Sequence, residues 1–143
     1  MIKKKVFILL ITVIAMSFVG CTKEEIVIPI QKPLIEGIYS GTFTVKYSEN
    51  GWAPGQTLTS EAVVEFNGGK FASSHKSLRG GGSGNYTKND TSIIFIDTNY
   101  WTADFDWGLI LSGEYSFNFD GTRLIISANK NEIGLYEYNL IKQ

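Results

Sequence analysis

The chain has 143 residues, 13 basic and 14 acidic side chains, a formal charge of −1 and a single cysteine. That balance, with no basic stripe, argues against binding a phosphate backbone, and one cysteine excludes an internal disulfide or a thiolate-based metal site. Aromatic residues at 13% against 19% charged ones suit one packed β-domain rather than a disordered chain.

The chain opens with Lys3, Lys4 and Lys5, followed by the apolar run 6–19. That run is too short for a comfortable membrane span and fits the central region of a secretory signal. The next residues, Phe18-Val19-Gly20-Cys21, resemble the bacterial lipobox, with Phe18 where leucine is usual. The resemblance implies cleavage before Cys21 and lipidation of that residue; a buried structural cysteine is the plain alternative. Lys23-Glu24-Glu25 resembles the export signal that carries lipoproteins of the Bacteroidota to the cell surface, the alternative being a solvated charge cluster. Residues 21–33, with Pro29 and Pro33, show no periodicity and read as a tether. The implied address is the cell envelope: an outer-membrane lipoprotein, displayed at the surface and held by acyl chains at about 0.8 kcal/mol per buried CH₂. Removing residues 1–20 leaves 123 residues with ten basic and fourteen acidic side chains, a charge of about −4.

From residue 34 to 143 the pattern alternates with period two, and no segment has a 3.6-residue period. Residues 35–47 place Ile35, Tyr39, Phe43, Val45 and Tyr47 on one face; 57–66 do the same with Leu58, Ala62, Val64 and Phe66. A shorter strand at 70–76 aligns Phe71, Ser73 and His75, and 82–88 aligns Gly84 and Tyr86. Residues 91–97 are apolar on both faces, so their register stays open. The last three strands fall at 109–119 (Leu109, Leu111, Tyr115, Phe117 and Phe119 inward), 123–130 (Leu124, Ile126, Ala128) and 134–141 (Tyr136, Tyr138, Leu140).

Tight turns at 67–69, 88–90 and 120–121 carry the Asn, Asp and Gly residues that supply positive φ in hairpins. Longer connections fall at 48–56, 76–82 and 98–108. In an up-and-down meander, alternate connections share an end, so the tight turns close one end and the long loops gather at the other. The fold expected is all-β: an eight-stranded antiparallel up-and-down barrel, with a two-sheet sandwich as the alternative. Gly37-Ile38-Tyr39 resembles the Gly-x-Trp that opens lipocalins, with Tyr in the Trp position. The domain at 34–143 is similar to small lipocalin-like lipoproteins of the Bacteroidota, though it lacks a C-terminal helix and a disulfide. Residues 37–43 and 113–119 share the spacing Gly-x-Tyr-Ser-x-x-Phe, read as structural, a glycine letting the strand bend beside an inward ring.

Candidate sites concentrate on the long loops. Trp52, Trp101 and Trp107, with Tyr100, Tyr47, Arg79 and His75 nearby, make an aromatic mouth that either receives a ligand or plugs the barrel. Asp104 and Asp106, two apart in an extended stretch, project to the same side and are the best enzyme candidate, a glycosidase-like carboxylate pair. Asp97, Asp104 and Asp106 lack the ladder and closing Glu of a calcium loop, and His75 has no second histidine to join it at zinc. Ser73 and His75 share a face but lie too far apart for a direct hydrogen bond, and 79–84 (RGGGSG) lacks the Lys-Ser/Thr and helix of a phosphate loop. The expectation is therefore a non-enzymatic binder, with no cofactor, metal or nucleic acid. It holds a small amphipathic or glycan ligand at the barrel mouth, and the alternative is a protein-interaction or inhibitor module of a surface complex. An open interior favours the ligand; a filled barrel with exposed loop tryptophans favours the protein partner.

Overall fold

The computed structural model describes residues 35–102 and 104–143. The signal segment 1–20, Cys21 and the whole tether to residue 33 lie outside the described residues.

Eight strands follow one another in chain order: β1 (Gly37–Tyr47), β2 (Thr57–Asn67), β3 (Lys70–His75), β4 (Gly82–Lys88), β5 (Ser92–Asp97), β6 (Gly113–Phe119), β7 (Arg123–Lys130) and β8 (Gly134–Lys142). Each pairs antiparallel with the next, and β1 pairs with β8 from Tyr39↔Lys142 to Tyr47↔Gly134, closing the barrel. The sandwich alternative does not form, because that last ladder leaves no free sheet edge.

Residues directly opposite each other in a ladder share a face, and this settles the register of β5. Ile93 lies opposite Tyr115 and Phe95 opposite Tyr86, so both turn inward and are buried, while Ile94 and Ile96 are exposed. The interior is filled by rings. At the turn end Phe66 meets Tyr39 edge-on at 5.7 Å and Tyr86 at 5.0 Å, and Phe95 meets Phe71 at 4.9 Å and Tyr115 at 5.7 Å. Higher up, Phe43 packs between His75 at 4.3 Å and Tyr138 at 4.5 Å. Edge-to-face packing of this kind adds about 0.5–1.5 kcal/mol per pair beyond area burial. Gly37 and Gly113, the two glycines of the shared Gly-x-Tyr spacing, both take positive φ (102° and 92°) and set Tyr39 and Tyr115 into the core.

Two details differ from the sequence reading. The turn at 88–90 has no positive φ; Asn89 instead accepts backbone N–H bonds from Thr91 (2.8 Å) and Ser92 (2.7 Å) through its side-chain oxygen. The strand expected from residue 109 begins only at Gly113, because Trp107–Leu109 form a single 3₁₀ turn capped by Asp106. Leu109 and Leu111 are nonetheless buried, supplied to the core by the loop rather than by the strand.

Candidate functional site

The loop end gathers the connections 48–56, 76–81, 98–112 and 131–133. The long β5–β6 connection is drawn down over the mouth by one buried carboxylate. Asp106, 5% exposed, accepts hydrogen bonds at Oδ2 from the Tyr47 and Tyr136 hydroxyls, both at 2.7 Å, and at Oδ1 from the Gly108 N–H at 2.8 Å. Tyr47 lies on β1 and Tyr136 on β8, so the clamp also spans the closing ladder. Burial, reinforced by the Asp106 carboxylate, pushes both phenols well above the ordinary tyrosine range and keeps them protonated donors.

Lys130 completes the floor. It continues the inward stripe of Leu124, Ile126 and Ala128, and its stem carries the ammonium over the rings of Tyr115 (4.9 Å) and Tyr136 (5.3 Å). Its Nζ donates to the carbonyls of Gly108 (2.8 Å), Ile110 (3.0 Å) and Ser112 (3.3 Å). Burial pushes its pKa down to about 8, opposed by the attraction of Asp106.

The glycine run supplies the seat for the same loop. Gly80, Gly81 and Gly82 all have positive φ, Gly81 donates to the Leu109 carbonyl at 3.1 Å, and its own carbonyl accepts from Leu111 N–H at 2.7 Å. A Cβ on Gly80 would collide with Leu109, so the stretch that resembled a phosphate loop serves close backbone approach instead.

Above this floor lies an open cavity of about 460 Å³, lined among others by Trp52, Asp104, Phe105, Trp107, Ser112 and Asn131. Trp52 is 56% exposed and Trp107 58%. A second recess of similar volume, against the β2–β3 hairpin at Glu65, Asn67, Lys70 and Phe71, has no tryptophan in its lining.

The other aromatic and basic candidates of the sequence lie apart from this cavity. Trp101 is half-buried on a wall of its own, its indole N–H donating to Asp97 Oδ2 at 2.6 Å and its ring 5.7 Å from Phe105. Tyr100 is 92% exposed and lies outside the cavity lining, while Arg79 sits 5.8 Å over the Phe105 ring. Tyr47 lies beneath the cavity as part of the Asp106 clamp. His75 is inside the barrel, stacked on Phe43 and bonded through Nε2 to the Tyr138 hydroxyl at 2.9 Å, and burial lowers its pKa to about 4. Its Nδ1 and the hydroxyls of Ser73 and Tyr39 are buried without a hydrogen-bond partner among the described residues. Asp104 and Asp106 both line the cavity, but Asp104 is exposed while Asp106 is held by three donors. Asp97 accepts from Ser83 N–H at 2.9 Å as well as from Trp101. No three His, Cys, Asp or Glu side chains converge as metal ligands among the described residues.

Lys130 escaped the sequence reading although its parity announced it: it stands two positions beyond Ala128 on an inward stripe. No protein-family model matches the chain, and no curated protein or solved structure matches it.

Proposed function

We propose that the protein is a lipid-anchored, non-enzymatic binder of a small ligand, and that a saccharide is the class best suited to its site. The reading rests on one observation: above a barrel filled with side chains, a cavity of about 460 Å³ stays open with two tryptophans more than half exposed in its lining. Indole faces stack on the C–H faces of sugar rings, and Asp104, Ser112 and Asn131 offer the carboxylate, hydroxyl and amide groups that bond to vicinal hydroxyls. An amphipathic ligand enclosed in the barrel is disfavoured, because Tyr39, Phe43, Tyr136 and Tyr138 occupy that volume at 0% exposure. In this reading lipidation of Cys21 tethers the domain to the outer membrane, with the site available to envelope or extracellular glycans. Asp106 has a structural role there, as the pin of the loop.

A protein-docking role is the second reading, favoured by the filled barrel with Trp52 and Trp107 exposed on its loops, the pattern expected of such a module, and by Tyr100 at 92% exposure on the same loop as Trp107. Titrating the purified protein with neutral and amino sugars, oligosaccharides and fatty acids, read by tryptophan fluorescence, separates the two. Saturable changes with a saccharide, lost in Trp52→Ala and Trp107→Ala, support the first reading. Silence across the panel overturns it in favour of a protein partner.

A further inference from the structure

We propose that the ligand of the mouth cavity is cationic, its ammonium group seated between the indoles and Asp104; this rests on the small-ligand reading above. Among the described residues the cavity lining contains three charged side chains, and two of them are already engaged. Asp106 accepts from two phenols and an amide, and Lys130, which feels its attraction, has its donors taken up by three loop carbonyls. Their charges offset one another below the floor, and Lys130 has no donor left for an anionic ligand.

Asp104 is the remaining charge. It is exposed, lines the cavity, and makes no hydrogen bond or ion pair among the described residues. Arg79, held over Phe105, is not part of the lining. Among the described residues that line the cavity, Asp104 is therefore the one charge left unoffset, and it stands with two exposed indoles, whose π faces attract a cation. A neutral sugar stacks on the indoles and bonds to Asp104 through its hydroxyls alone, leaving the charge unpaired, and an acidic one meets a like charge. Chain charge points the same way, being about −4 beyond residue 20. An amino sugar or another compact ammonium compound satisfies both the aromatic and the carboxylate partners.

The test uses glucose, glucosamine and glucuronate, which share one ring and differ in charge, together with choline, an ammonium compound with no sugar ring. Each is titrated at pH 6 into the full protein and followed by tryptophan fluorescence. Glucosamine is expected to bind about fivefold more tightly than glucose, from a cation–π contact and one exposed ion pair. Glucuronate binds more weakly than either. Asp104→Asn, a change at an exposed position, narrows the preference for glucosamine over glucose to about twofold, the share left by the cation–π contact, and added salt does the same in part. Equal affinities for glucose and glucosamine overturn the charge assignment and leave the saccharide reading in place. Binding of choline and glucosamine, but not glucose, supports the charge assignment while weakening the saccharide reading. No response to either glucosamine or choline overturns the inference.

Discussion

Replacing Asp106 with asparagine is the sharpest perturbation of the structure, because three donors converge on that side chain and its charge attracts Lys130. In the native arrangement Oδ2 takes the Tyr47 and Tyr136 hydroxyls and Oδ1 takes the Gly108 N–H. The amide leaves one carbonyl oxygen and turns an NH₂ group toward groups that are themselves donors. Either the two buried phenols or the Gly108 N–H then lose their acceptor, and Tyr136 is wholly inaccessible to water. Hydrogen bonds to a charged group contribute about 1.5–3 kcal/mol, and an orphaned buried donor costs about 1–3 kcal/mol. Loss of the charge that faces Lys130 adds to this, for a total of about 3 kcal/mol out of a stability of about 5–15 kcal/mol. The assay is urea unfolding followed by far-ultraviolet circular dichroism. With a slope of about 1–1.5 kcal/mol per molar for a small domain, the midpoint falls by about 2–3 M. Tyr47→Phe and Tyr136→Phe remove donors rather than the acceptor, so each costs less than Asp106→Asn. Each is also strongly non-additive with it. A midpoint for Asp106→Asn within a few tenths of a molar of wild type would refute the clamp.

Two further predictions follow from charges inside the barrel. His75 is neutral in the fold, its pKa lowered from 6.5 to about 4 by burial, so the unfolded chain binds the extra proton first as pH falls. Stability is complete above about pH 6.5 and declines toward pH 4, losing about 2 kcal/mol once partial solvent access is allowed for. His75→Phe, which keeps the ring against Phe43, flattens this part of the stability–pH curve; an unchanged slope contradicts the assignment. Lys130→Met keeps the apolar stem but releases the carbonyls of Gly108, Ile110 and Ser112. Amide hydrogen exchange at residues 108–111 then accelerates about tenfold or more while exchange in β1 and β8 is unchanged. Unaltered exchange in that loop shows that the lysine does not hold it.

Legibility followed the physics of each element. Alternation placed seven of the eight strands and an apolar run between turns the eighth, since every strand has one face in a ring-filled core and the short turns carry Asn, Asp or Gly. The register of β5 was hidden because Ile93, Ile94, Phe95 and Ile96 are all apolar; only pairing with Tyr115 and Tyr86 decides which pair turns inward. The end of the barrel that holds the three tryptophans was also readable, because alternate connections of a meander fall together. Their separate duties were not. Trp101 is tied to Asp97 and Trp107 is raised beside the cavity by a turn that Asp106 caps, and both results depend on contacts across the mouth. Asp106 looked like half of a catalytic pair because the residues that claim it, Tyr47 and Tyr136, lie 59 and 30 positions away. Lys130 was passed over because a cation at a strand end is ordinarily solvated, whereas three carbonyls of the incoming loop give this one a buried seat.

The indole N–H resonances of the three tryptophans test the central claim most directly, because each reports from a different place at the mouth. In a ¹H–¹⁵N correlation spectrum recorded with and without the tightest-binding saccharide, the signals of Trp52 and Trp107 shift together along one saturation curve. That of Trp101, held by Asp97, stays in place. Shifts confined to Trp101, or to residues of the barrel interior such as Tyr138, would contradict a ligand site at the mouth cavity.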